Sequence, residues 1–400
     1  MAQRIGAAAA GLLLLLPLAA GANDDGPPPT LLDWSVPGQS FTVADSLLTV
    51  PVDIYGAAYA SREPAGASRD GLTAAALVQP EIEHNFDNGW NLGVKTSFLV
   101  HHDRLAGDNY GDRFVEKAYV YLQTAYGRLE AGQADGAAYS LEVTGPLVAG
   151  PPAIDDANVT FFIDPSTKKA FTNIFSVRTG VFASANNAKI SYYSPRLVEL
   201  QVGISFTPGE TKGVPFFSHA EHAPNHQHDI VEAGANYVHG WNKWILHAYA
   251  GIAHGNIDDR TPQHRGLLDW AIGAQLDYKL PHGALLAFGG AYRESRGYTF
   301  DPDQSFSHGN TNAIHATARY SNGAWQVGFE YSNGIAGRVP GMPQLTIKGY
   351  EPSVSCAVTS NLQLVGGYQH LDYGRSDGTF FNGKRDVTLD AGFLYFEVKV

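Results

Sequence analysis

Four imidazoles crowd one short segment: His219, His222, His226 and His228. Imidazoles at this spacing suit Zn2+ or Cu2+. They also take up charge just below neutral pH, where their mutual repulsion would move a loop. A polar extracellular loop is the plainer account of them. Asp155 and Asp156 form a second grouping, adjacent carboxylates that suit Ca2+ or that present negative charge to a passing ion. Organised catalytic chemistry is not visible. There is no G-x-S-x-G elbow, no H-E-x-x-H, no C-x-x-C and no phosphate-binding glycine loop. Ser, His and Asp are frequent in the connecting segments, so a dispersed triad stays open as an alternative.

Such groups need elements to hold them, and the chain advertises strands. From Leu268 to Tyr278, the residues Leu268, Trp270, Ile272, Ala274, Leu276 and Tyr278 alternate with Asp269, Ala271, Gly273, Gln275 and Asp277. Successive strand side chains point to opposite faces, so one face is apolar and the other polar. The pattern recurs at Val198–Phe206, Trp325–Tyr331 and Leu92–Val100. Trp90, Trp241 and Trp325 follow short turns, which places them near one membrane boundary.

Composition narrows the classes further. The chain has 400 residues, 44 Gly, 20 Tyr and 20 Phe, and only 16% charged residues, which favours many strands and tight turns. The net charge of −12 argues against a nucleic-acid partner. The single cysteine, Cys356, excludes an intramolecular disulfide. At the N-terminus, Arg4, the leucine run up to Leu16 and the Ala20 to Ala22 site predict a signal peptide over 1–22. No segment is apolar for long enough to predict a spanning helix.

The expected organisation is a signal peptide at 1–22, an irregular periplasmic segment at 23–48 and an all-β barrel over 49–400. Sixteen strands are predicted near 49–60, 73–86, 91–102, 113–124, 128–134, 186–195, 197–207, 229–239, 242–254, 267–279, 284–294, 311–321, 324–333, 345–357, 362–373 and 385–400. Pro352 interrupts the fourteenth, and Val365 and Leu371 blur the faces of the fifteenth. Short turns such as those at Gly89, Gly127 and Gly323 alternate with long connections, including 61–72 and 135–185. That asymmetry marks an antiparallel transmembrane β-barrel with short periplasmic turns and long extracellular loops.

With the pattern in hand, three motifs resemble the Gram-negative trimeric general porins, of the proteobacterial type. LTVPVDIYG at 48–56 looks like their first strand. KAYVYLQTAYGRLEAGQ at 117–133 looks like the fourth strand, tight turn and fifth strand before their long third loop. NAKISYYSP at 187–195 looks like the strand that follows it. Leu394, Phe396, Val398 and Val400 share a face as in the family's closing strand, but the chain ends in Val400 where the family carries an aromatic residue.

The resemblance implies a homotrimer in the outer membrane of a Gram-negative bacterium, with the third loop folded inward to narrow each pore. Its partners would be outer-membrane lipids, ions and small hydrophilic solutes, with no cofactor. Residues 135–176 are the candidate constriction loop, carrying Glu142, Asp155, Asp156 and Asp164. In the family an acidic loop faces basic residues on the opposite wall. Here Lys95, Lys117 and Arg319 point inward by strand parity, and Arg128 joins them at the start of the fifth strand. The acidic excess predicts a water-filled channel with weak cation preference. A channel selective for sugars or anions, and a barrel enzyme with a site on its rim, are the alternatives.

Overall fold

Alternating side chains make each strand amphipathic, and a backbone in lipid must satisfy its hydrogen bonds without water. Strands meet both demands by pairing until the sheet closes on itself. A computed structural model describes residues 30–32, 40–43, 46–62, 68–102, 115–150, 152–155, 161, 178–212, 219–221, 227–258, 265–297, 310–336, 344–375 and 385–400. It is a closed antiparallel barrel of sixteen strands.

The first strands are β1 (Val52–Arg62), β2 (Ser68–Val78, continuing as Glu81–Asn85), β3 (Asn91–His102), β4 (Val115–Thr124) and β5 (Gly127–Gln133). After the long loop come β6 (Ala188–Tyr193), β7 (Leu200–Thr207), β8 (His228–Trp241), β9 (Trp244–Asn256) and β10 (Leu267–Lys279). The barrel is completed by β11 (Leu285–Arg296), β12 (Thr311–Asn322), β13 (Trp325–Ala336), β14 (Leu345–Ala357), β15 (Leu362–Arg375) and β16 (Asp386–Lys399). β16 pairs with β1 from Asp390↔Arg62 to Lys399↔Asp53, and reciprocal backbone bonds between Val52 and Val400 close the seam. No described helix is long and apolar enough to cross a membrane.

The predicted facing holds. Ile272 is 53% exposed on the outer face, while Asp269 and Asp277 on the same strand are buried inside. Ile204, Ile252, Phe288, Ile314 and Phe329 extend the exposed apolar band around the barrel.

Four local readings change. Residues 40–48, expected to be irregular, form with Thr49 a hairpin in which Ser40–Val43 pairs with Ser46–Thr49. The latter strand in turn pairs with Glu81–Asn85, supplying a neighbour to the part of β2 beyond Pro80. The connection expected at 61–72 shrinks to 63–67, because β1 and β2 pair as far as Arg62↔Ser68. Pro352 does not end β14. Its ladder to β13 is continuous through Phe329↔Pro352, while the ladder to β15 skips Glu351 and Pro352 and resumes in the same register at Ser353↔Gly367. The missing proline N–H is thus tolerated as a local gap. Val365 and Leu371 face inward and are buried, because a loop lies on them.

Candidate functional site

The loop between β5 and β6 turns into the barrel at once. Its first turn is α1 (Ala137–Ser140), whose Ala137 and Ala138 are fully buried. The Ala137 amide donates to Ser205 Oγ on β7 at 3.1 Å, and Asn236 on β8 donates to the Leu141 carbonyl at 3.1 Å. Where the loop enters and returns, Lys189 on β6 donates to the carbonyls of Ala134 and Ala185. The Ser184 amide donates to Glu232 on β8 at 2.9 Å.

From there the loop follows the inner wall around the barrel. The Val143 carbonyl lies over Gly273 of β10, and Gly145 over Gly289 of β11, where an added Cβ would stand 2.7 Å from the Gly145 Cα. Val148 covers Gly328 of β13, and Ile154 approaches Gly349 of β14. Glycine at these inward positions lets one backbone lie flat on another. The chain therefore carries a track of small residues on which its own loop rests.

Two anchors hold the far end. The first is polar. Asp155, 2% exposed, accepts from the Thr179 amide at 2.8 Å and from the Thr179 hydroxyl at 2.5 Å. Its carboxylate lies 3.2 Å from His315 Nδ1 on β12, whose Nε2 lies 3.6 Å from Glu330 on β13. The Ile154 amide points to Glu330 at 3.4 Å, and Gln369 on β15 donates to the Pro152 carbonyl and to Glu351. Burial opposes ionisation of Asp155, but His315 and the Thr179 bonds outweigh it and hold the carboxyl below its ordinary value. The second anchor is apolar. The Phe161 ring is fully buried, 5.3 Å from Tyr59 of β1 and 5.0 Å from Phe393 of β16. Around it the inner wall consists of Ile347, Leu371, Leu389 and Tyr373.

The described part of the loop thus touches every strand from β6 through β16 to β1; on β2 and β3 the inward Ala75, Leu77 and Leu99 share the buried cluster of Ile154 and Phe161, while the charged stretch of β2–β5 stays partly exposed. That wall carries paired charges. Lys95 lies 3.2 Å from Glu81, Lys117 lies 2.6 Å from Asp135, and Arg128 lies 2.6 Å from Glu130. Tyr121 donates to Glu81 at 2.7 Å and Glu83 at 3.2 Å, with the Arg128 guanidinium 3.8 Å over its ring.

The residues singled out by sequence separate accordingly. Lys95, Lys117 and Arg128 come together on the open wall. Arg319 does not oppose the loop but holds it, donating to the Leu147 carbonyl at 3.1 Å. Asp155 does not face the lumen as a filter charge, because Thr179 and His315 bury it. Glu142 lies against the returning arm at Gly180. Asp156, Asp164, His222 and His226 fall outside the described residues, and His219 is described only as part of a short strand, His219–Glu221. His228 is buried between Asp229 at 3.0 Å and Asp258 at 3.1 Å. Among the described residues, no three His, Cys, Asp or Glu are grouped to hold a metal ion. Sequence reading missed His315, Glu330, Phe161 and Tyr121. The glycines at inward parity on β10, β11, β13 and β14 were the available signal for the loop's path.

A family model described as Gram-negative porin matches residues 40–377. No curated protein sequence matches the chain. Among solved structures, an anion-selective porin from Comamonas acidovorans is similar at a TM-score of 0.57 and 13% identity, covering 89% of this chain and 100% of that one. OmpF of Salmonella typhi, in complex with daunomycin, is similar at 0.58 and 12% identity, covering 90% and 100%. The outer membrane channel DcaP of Acinetobacter baumannii is similar at 0.57 and 11% identity, covering 90% and 99%. At these identities the likeness is one of fold.

Proposed function

The chain belongs to the Gram-negative porin family, and from that premise we propose that this outer-membrane channel passes ions and small hydrophilic solutes passively, with a weak preference for cations. The observation that carries the reading is the inward loop, which crosses a sixteen-strand lumen on its inner wall. A barrel of this strand number is wide enough to hold water, and a loop inside it reduces the free section. Solutes then pass between the loop and the β2–β5 wall, where Lys95, Lys117 and Arg128 contribute to the constriction. Asp156, Asp164 and Glu142 add negative charge from the loop, while Asp155 serves the constriction by anchoring it. Glu81, Glu83 and Glu130 on that wall, with Asp135 at the start of the loop, face three cations, which favours cations slightly.

Export by the signal peptide at 1–22, a lead-in over 23–48 and a barrel over 49–400 complete the proposal, together with assembly as a homotrimer. The family is one of channels, which weighs against a rim-located enzyme. Single-channel recording in asymmetric salt tests the proposal. A reversal potential on the cation side is expected, and higher conductance after deletion of residues 151–161. A reversal potential on the anion side would overturn the charge preference. Unchanged conductance in the deletion would remove the loop from the constriction.

A further inference from the structure

The open wall differs from a simple field of one sign. Its cations are each matched by a carboxylate, on the same wall in the pairs Lys95–Glu81 and Arg128–Glu130 and at the start of the loop in Lys117–Asp135. All six side chains are partly exposed, so each pair presents both charges to the lumen. Glu81 and Lys95 are cross-strand neighbours, as are Tyr121 and Glu130. Tyr121 joins the pairs laterally, bonded to Glu81 and stacked beneath Arg128.

The field of a close ion pair falls steeply with distance, because the two charges cancel. A single ion passing at some distance feels little of it. A solute that carries both charges a few atoms apart meets a complementary dipole at each pair, without having to strip either member of its partner. Elsewhere among the described inward residues Arg293–Asp269 is buried and Lys399–Glu397 stands alone at the end of β16, so the β2–β5 stretch is where such pairs are grouped around one ring. We propose that the β2–β5 wall is a filter favouring small zwitterionic solutes, with Glu81, Lys95, Arg128 and Glu130 as the specificity-determining residues. This rests on the channel reading and names its solute class.

Liposome swelling separates the possibilities. Glycine and glycolamide have the same atoms and nearly the same size, but at neutral pH only glycine is a zwitterion. Through the full-length protein, glycine is expected to enter roughly threefold faster than glycolamide, the effect of one partly screened charge contact. The double variant Glu81→Gln/Lys95→Met is expected to lower that ratio, with little change in reversal potential. Each single variant leaves one charge unmatched. Glu81→Gln is therefore expected to shift the reversal potential toward anions, and Lys95→Met toward cations. Equal rates for the two solutes in the unmodified protein would overturn the filter and leave the channel intact, as would an unchanged ratio in the double variant. If neither solute swells the liposomes, the channel reading itself fails.

Discussion

Two stretches of the inner wall of this barrel face the same lumen with opposite chemistry, although Ala75, Leu77 and Leu99 of β2 and β3 belong to the apolar one. Under the far end of the loop, β14–β16 and β1 present Ile347, Leu371, Leu389, Phe393 and Tyr59, all buried. On the other side, β2–β5 present Lys95, Lys117, Arg128, Glu81 and Glu130, which are paired and stay partly exposed. Strand parity sends both sets inward. What separates them is contact with the described part of the loop, which buries the apolar stretch, while the charged pairs stay partly exposed. An inward position in a large barrel can therefore be apolar where the loop covers it, and a covered polar residue such as His315 or Gln369 is paired with the loop or its neighbours.

The strongest way to break the contrast is to detach the loop at its polar anchor. Asp155→Ala removes one partner of a buried pair and leaves His315 and Glu330 unbalanced, at a cost of about 3–5 kcal/mol. Heat-modifiability of the folded barrel should shift to lower temperature, and single-channel conductance should rise. If both stay as they were, the anchor does not hold the loop. Phe161→Ala empties the apolar seat between Tyr59 and Phe393 and should cost about 3 kcal/mol. Its effect on conductance should run in the same direction. A fall in conductance would place the phenylalanine outside the restricting path.

The facing that underlies the comparison can be tested on β10 alone. Ile272→Arg puts a charge in the apolar band and should cost ~2–4 kcal/mol, whereas Gln275→Arg on the lumen side should cost far less. Equal folding yields would reverse the assignment. A subtler test is acid. The folded state holds the Asp155 carboxyl below its ordinary value, so its contribution is present above the unfolded value and lost as pH falls through the folded one. Stability should therefore decline with acid, and less steeply in Asp155→Asn. Matching pH profiles for the two proteins would detach Asp155 from that loss. The smallest effect is expected on the open wall. Lys117→Met should change stability by under about 1 kcal/mol, because its pair with Asp135 is solvent-screened. A large loss there would mean that the two walls are not different in kind.

Most of the barrel is legible in the alternation of apolar and polar residues alone. Each of the sixteen strands overlaps the range expected for it, and the exposed face of β10 is the one its sequence marks. The errors fall where a distant segment intervenes. Val365 and Leu371 blur the fifteenth strand because apolar residues at inward positions contradict a wet lumen. The contradiction ends with Ile154 and Phe161 of the loop, which join them in one buried cluster. The hairpin at 40–49 escapes notice because each strand is four residues long, too short for alternation to register. Asp155 reads as a filter charge because its neighbourhood is acidic in sequence. Its effective neighbours, Thr179 and His315, are 24 and 160 residues away along the chain.

By itself the sequence determined strand number, order and facing, and which connection is long enough to enter the lumen. These follow from a two-residue period and from loop length, both readable within a few residues. Only the tertiary structure decided which inward residues are dry, which charges are matched and which carboxylate becomes an anchor. Those outcomes depend on how closely non-adjacent segments approach, because solvent exclusion and ion pairing act through space, over a few ångströms, whatever the separation along the chain.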